Sequence, residues 1–541
     1  MPHYTRKSSL LLILLLFSNF LRAQKNTQEQ PKDSADYVNI LFADHAMTHE
    51  KYPGQQLLSG NVQIEMNGAK LFCDKAIVNK TENTAIAVGH VRMEQGDTIH
   101  LKSEFLKYEG NTSHAEAIGK VVLTDPRMTL TTDTLSYDRK NQEAYYTTGG
   151  HIRDSINTLD SKIGRYFLNE KRVRFINNVK IVNPDYKIES YQLDYYTDSG
   201  ISDFTGPTKI YNSESYVYAE KGHHNSKTNI SWFVKNAFIK RKNNTIKADS
   251  LYYDRNAEYA TGNKNVVLFD SINNTWIYAD YAQRWAKQDS VRVSEHPLVV
   301  SVKEKDTLYI RAQQFIAAGK ENERKLWGYK DVKFYSKDFS GRSDSLYRDD
   351  KTRLMKLLNQ PIVWSGKSQI TGEVIHIKND SLNQLDSLMI PKDVFIIQKD
   401  SIDGFNQIKG KKLLGKFIEG QLHDINIYGN TEVIYYLREE DGELTGIEKN
   451  KSSRIFIEFE DNHIKIIRFY KNVDGTIYPK SKLPKNEQKF KGFVWHADKM
   501  IKTKEDVIED KQLDYQPETK QKPTSKEDMK QLGNDMLKGM F

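Results

Sequence analysis

A repeat of about thirty residues limits what this chain can fold into more than any other feature. A glycine followed by alternating apolar residues recurs as Gly60-Asn-Val62-Gln-Ile64-Glu-Met66, Gly89-His-Val91-Arg-Met93, Gly119-Lys-Val121-Val-Leu123 and Gly150-His-Ile152. These glycines are 29, 30 and 31 residues apart. Further along each unit a small residue precedes a polar one: Cys73-Asp74, Ser103-Glu104, Thr132-Asp133 and Ser161-Lys162. Beyond these pairs sit further inward candidates, Ala76 and Val78, Leu106 and Tyr108, Leu135 and Tyr137, Gly164 and Tyr166. The pattern continues more loosely through Val179 and Ile181, Leu193 and Tyr195, Ile246 and Leu251, Gly262 before Val266 and Leu268, and Gly328 before Val332. Roughly twelve units fit between residues 50 and 420.

The alternation gives each strand one dry and one wet face. Turn formers such as Asn67-Gly68, Gly110-Asn111, Asp125-Pro126, Asn177-Asn178, Asn243-Asn244 and Asn273-Asn274 separate the apolar runs. The expected unit is therefore two or three short strands, which bury an apolar face only by stacking on their neighbours. Aromatics at 11%, with 30 Tyr and 23 Phe, favour strands. No helical periodicity is sustained over residues 30–500. These features predict an elongated all-β array, on the order of 100 Å long at about 4.8 Å per strand.

At the N-terminus Arg6 and Lys7 precede an apolar run from Leu10 to Phe17, and Ser18–Ala23 turns smaller and more polar. That order predicts a secretory signal peptide over residues 1–23, cleaved after Ala23. Losing Arg6, Lys7 and Arg22 would lower the formal net charge of +8 by three, to +5. A charge this mild over the whole chain argues against a nucleic-acid partner. The one cysteine, Cys73, excludes an internal disulfide, zinc fingers and iron–sulfur clusters. Residues 24–36 read as a flexible segment, 37–175 as the most regular repeats, 176–420 as their continuation and 421–500 as a C-terminal β region. Residues 501–541 read as a charged, partly disordered tail, with Met529–Phe541 as a short amphipathic helix.

The repeats Ala87-Val-Gly89-His-Val91, Ala117-Ile-Gly119-Lys-Val121 and Asp133-Thr-Leu135-Ser-Tyr137-Asp138 resemble those of the OstA/LptA-like lipopolysaccharide-transport family. The closing region, Asp474-Gly-Thr-Ile-Tyr478-Pro479 with Pro484 and Gly492-Phe-Val-Trp495, is similar to that of large OstA-like proteins of Bacteroidota. The resemblance implies a V-shaped, twisted β-jellyroll whose apolar interior takes the acyl chains of lipid A. It also implies a periplasmic setting near the outer membrane, ATP hydrolysis by an inner-membrane partner, and no cofactor or catalysis in this chain. Lipopolysaccharide is then the ligand. Other transport components, or further copies joined head to tail, add at the edge strands.

On that reading the lipid-lining positions are Val62, Ile64, Met66, Val91, Met93, Leu101, Val121, Leu123, Leu130, Ile152, Val179, Ile181, Val266 and Leu268. A sealed core between two sheets would show the same pattern. The methionines Met66, Met93 and Met128 suit a variable acyl surface. The basic clusters Lys171-Arg172-Val-Arg174 and Lys240-Arg241-Lys242 could meet lipid A phosphates or form an ordinary solvated surface. GxSxG, HExxH, P-loop and GxGxxG signatures are absent, and His223-His224 on a strand would face opposite ways, which disfavours a shared metal. The acids Asp74, Glu104, Asp133, Asp249, Asp280 and Asp344 recur once per unit and so read as structural corners. Two rivals remain: an exported right-handed β-helix enzyme acting on polysaccharide, and a purely structural surface repeat protein.

Overall fold

The computed structural model describes residues 38–508, apart from 67, 97–98, 125, 127, 139, 197, 226, 303–305, 321–322, 338, 382–383, 401–403, 419–420, 440, 461–462 and 480–482. The expected signal peptide over 1–23, the segment 24–36 and the expected helix at Met529–Phe541 lie outside the described residues. Among those described, 38 strands join into one sheet, and every pairing between them is antiparallel. Each strand pairs with its near neighbours in sequence, so the array grows in one direction, as alternating strands and short turns dictate. This excludes the β-helix rival, whose coils are built from parallel strands.

One repeat is a hairpin of two long strands rather than two or three short ones. The strands Gln55–Met66, Ala69–Asn79, Thr84–Gln95 and Ile99–Glu109 are 12, 11, 12 and 11 residues long. Each breaks register once near its middle, as between Ser59 and Val62 or Val88 and Val91. The break is a β-bulge at which two successive residues take left-handed backbone angles, Gly60-Asn61, Gly89-His90 and Gly119-Lys120. A bulge bends its strand, so one strand contributes to two half-sheets that meet at a corner, and the repeated corner makes the V of the jellyroll. Glycine suits the first corner position: a Cβ on Gly89, at φ +79°, would overlap the Asp74 carboxylate.

The corner persists where the glycines fade. Asn177-Asn178, Lys235-Asn236, Lys264-Asn265, Glu295-His296 and Lys330-Asp331 take the same two positive angles. Asn177-Asn178 is therefore a corner inside the strand Arg172–Val182, not a turn between strands. Likewise Gly262 and Gly328 lie two residues before their corners and face the interior, where Gly262 packs by Leu251 and Val266 and Gly328 by Phe315 and Leu346. From Gly150 onward many strands split at the corner into two, as Glu143–Tyr146 and Gly150–Arg153 do. Counting such pairs as single rungs, the array has roughly 28 rungs and spans on the order of 130 Å. Twelve hairpins lie between Gln55 and Ile418.

After the last strand, Asp474–Pro479, the chain turns back along the array. Residues 483–508 form a strap across the outer face of one half-sheet. The Gln407 side chain donates to the Gln488 carbonyl (2.8 Å) and accepts the Phe490 N–H (3.0 Å). Gln369 repeats this with the Val494 carbonyl and the His496 N–H, both at 2.8 Å. Ser340 donates to the Ile501 carbonyl (2.6 Å), and Arg311 to that of Ile508 (2.7 Å). Ile501 and Val507 complete an apolar cluster with Tyr278, Leu298, Val300, Tyr309, Ile362 and Trp364. Hence Ile501–Ile508, assigned by composition to the charged tail, pack against the body of the protein.

The strap explains runs in which alternation fails. Leu298-Val-Val300, Ile362-Val-Trp364 and Val394-Phe-Ile-Ile397 are buried at every residue. One face of each run packs into the interior. The other lies on the strap side, where Leu298, Val300, Ile362 and Trp364 join the strap cluster.

Candidate functional site

The interior is organised as rows of residues that sit directly opposite one another on successive strands. One row runs without interruption through Ile64, Leu71, Met93, Leu101, Leu123, Leu130, Ile152, Leu159, Ile181, Ile188 and Ile210. It continues through Val217, Ile239, Ile246, Leu268, Ile277, Val299, Ile310 and Phe334, and after Gly341 reaches Val363, Ile370, Ile396, Ile408 and Val433. Every rung from Ile64 to Phe334 carries an aliphatic, methionine or phenylalanine side chain in this row.

Eight of the fourteen predicted lining residues belong to this row: Ile64, Met93, Leu101, Leu123, Leu130, Ile152, Ile181 and Leu268. Val62, Val91, Val121, Val179 and Val266 form the next row towards the corner, and Met66 lies at the other end of its strand. All fourteen thus stand on one half-sheet. Eleven are buried, while Met93, Leu123 and Leu268 are half-buried.

The opposite wall is absent from that set. It mixes large and small residues, Leu58, Ala76, Ala87, Leu106 and Ala117, then Phe175, Leu193, Phe204, Gly222, Phe233 and Leu251. The signal was present in the repeat, because Ala76, Leu106 and Leu193 follow each corner at a fixed distance. Both walls contribute to the same clusters, so over residues 38–121 and 128–204 the two half-sheets close on each other.

The row's exposure changes along the array. Ile64, Leu71, Leu159, Ile181 and Ile188 are buried, and so are Val299, Ile310, Phe334, Val363 and Ile370. Between them six successive members, Ile210, Val217, Ile239, Ile246, Leu268 and Ile277, are only half-buried. Small residues deepen the groove here: Ala219, Ala237, Ala248 and Ala279 line the corner beneath them. A narrow gap bounded by Phe204, Thr208, Ile210, Val217, Ala219, Gly222 and Phe233 lies at one end of this stretch. The result is an aliphatic trough six rungs, or on the order of 30 Å, long.

The two basic clusters differ sharply. Arg172 and Arg174 both bond the buried Asp194 carboxylate, Arg174 through two contacts of 2.7 and 2.6 Å, and Lys171 reaches Asp198. That cluster is held within an ion network on its own sheet. Lys240, Arg241 and Lys242 are exposed and end the rung that carries Ile239, at the rim of the trough.

The repeated polar residues act at the corners. Asp44 accepts from the Asn61 amide, Asp249 from Asn265 and Asp344 from Asn359, while Asp74 meets His90, Glu104 meets Lys120 and Asp280 meets His296. Inside the same corners Cys73, Ser103, Thr132, Ser161, Ser190 and Ser343 each donate to the carbonyl two residues on. Cys73 is thus one member of a structural row, and burial pushes its thiol up to about 11, away from nucleophilic reactivity. His223 bonds Asp203 and His224 bonds Ser231, on opposite faces of their strand.

Fold and interior together define a class: an elongated, repeat-built β-jellyroll with a continuous apolar interior. The sequence model of the family described as OstA-like protein matches residues 36–191. The chain is 27% identical over 123 residues to the LPS-assembly protein LptD of Acinetobacter baumannii, covering 20% of this chain and 15% of that one. It therefore spans well under a quarter of that relative's length. Among solved structures it is similar to LptH of Pseudomonas aeruginosa, described as the LptA-homologous periplasmic component of the lipopolysaccharide transport device. That likeness has 17% identity and a TM-score of 0.18, and covers 20% of this chain and 81% of that one. Over residues 36–191, the most regular repeats, the chain is thus similar to OstA-like proteins.

Proposed function

We propose that this protein is a periplasmic lipopolysaccharide-binding scaffold that shields lipid A acyl chains in its β trough and conveys them towards the outer membrane. The observation that carries this reading is the unbroken apolar row, only half-buried for six rungs between Ile210 and Ile277. A sealed structural repeat has no use for an aliphatic stripe left open to water, because each such residue forgoes burial energy of about 25 cal/mol per Å². Acyl chains entering there would complete the burial. Arg241 and Lys242 at the rim would meet the lipid A phosphates, while Lys240 faces the outer side. The fourteen positions from Val62 to Leu268 would line the path, most of them only once the half-sheets part.

Movement along the path needs no chemistry in this chain and no cofactor. The terminal rungs suit partner docking. Asn39–Phe42 and His45–Thr48 leave Leu41, Phe42 and Met47 exposed at one end, and Asp474–Pro479 leaves Ile477 exposed at the other. Each end can accept a further strand from another transport component or a second copy joined head to tail.

Competition binding with purified protein tests the ligand class. Lipid A is expected to displace labelled lipopolysaccharide, while the deacylated glycan fails to compete at concentrations a hundredfold higher. Displacement by the glycan alone, or no saturable binding, would favour the structural repeat protein.

A further inference from the structure

The strap does not end at a natural stop on the face it covers. Its anchors Gln407, Gln369 and Ser340 belong to one outward row of directly opposed residues, two rungs apart each time, and Arg311 follows two rungs further on. The strap advances by six or seven residues per anchor, from Gln488 to Val494, Ile501 and Ile508. Beyond Ser340 the same row continues through Tyr335, Tyr309, Val300, Trp276 and Phe269. Further on, Tyr216 and Tyr218 flank Phe238 at ring distances of 5.6 and 5.5 Å, and Phe269 stacks on Trp276 at 4.5 Å.

An aromatic stripe therefore lies directly ahead of the strap, on the face it already follows. We propose that residues 509–541 continue the strap and dock on this stripe. The spacing of the existing anchors places the next one at residues 514–515, where Tyr515 stands with Leu513 just before it, the first apolar residues after Ile508. At the same spacing the acidic Glu518 falls one rung further on, beside the rung of Lys247, which points outward among the aromatic rings. Thirty-three residues, at about 3.3 Å each when extended, are ample to cross the remaining rungs. The docked segment would clasp the outer side of the same rungs whose inner side forms the open trough.

Photocrosslinking of the full-length protein at high dilution tests this. Benzoylphenylalanine is placed at Phe269, and separately at Tyr335, which lies beneath the observed strap. Adducts are mapped by proteolysis and mass spectrometry. Tyr335 is expected to label residues 497–508, and Phe269 to label residues 509–520 of the same molecule. The double variant Leu513→Asp, Tyr515→Asp should lower the Phe269 yield at least fivefold while leaving the Tyr335 adduct intact. Phe269 adducts to a second copy or to another segment, or none beside a normal Tyr335 adduct, would overturn the proposal. Loss of both adducts would remove the strap on which it stands.

Discussion

Replacing Trp364 with alanine is expected to destabilise its part of the array by about 3–5 kcal/mol, the range for a fully buried large aromatic. The indole is 1% exposed and fills the space between its half-sheet and the strap, against Ile501 and Val507. Removing it opens a cavity that neither strand nor strap can close, because both are fixed by the Gln369 and Ser340 hydrogen bonds. Trp364→Phe should cost far less. The indole N–H is buried without an acceptor among the described residues, so phenylalanine also removes an unsatisfied donor. In a stacked array stability is nearly a sum of neighbour terms, so the loss should stay local. Hydrogen exchange should quicken in Ile362–Ser365 and the strands beside it, and in the strap. Exchange over residues 58–121 should stay unchanged. Uniform loss across the chain would show that the array folds as one cooperative unit and would contradict this picture.

The second large effect concerns the trough. Ile246→Glu combined with Leu268→Glu is expected to weaken lipopolysaccharide binding by roughly a hundredfold, about 3 kcal/mol, because acyl chains would have to desolvate two unpaired carboxylates. Both positions are half-buried, so each carboxylate keeps part of its hydration, and the loss of thermal stability should be smaller than for Val266→Glu at a fully buried position. Thr245→Glu on the outward side of the same strand supplies the comparison, and binding there should be retained. Equal loss at inward and outward positions would point to charge repulsion at the surface and away from an acyl path.

The elongated all-β fold was legible because alternation and periodicity are local properties of the strands. Twelve hairpins appear as expected, and the recurring acids are corner residues, since a left-handed bulge in every hairpin meets a polar partner in every hairpin. Three features escaped. The corner moved from glycine to Asn and Lys, residues that tolerate the left-handed region less visibly, so the period looked weaker after Gly150 than it is. The second wall went unlisted because its small residues, such as Ala87, Ala117 and Gly222, do not look like a binding surface. The strap contacts left little trace in the pattern. Gln407 and Gln369 are polar residues on wet-looking positions, and only the packed chain shows their side chains bonding a segment over eighty residues away. The continuous runs Leu298-Val-Val300 and Ile362-Val-Trp364 were the one available sign, since a strand apolar on both faces must be covered on both.

The most direct test of the central claim is photocrosslinking in living cells, with a photoreactive residue at Ile239 on the trough floor or at Lys240 beside it on the outer face. Lipopolysaccharide adducts at Ile239, and none at Lys240, are the expected result. Adducts at neither position, with the protein folded and exported, would contradict a lipid path through this fold and leave a structural repeat protein as the better account.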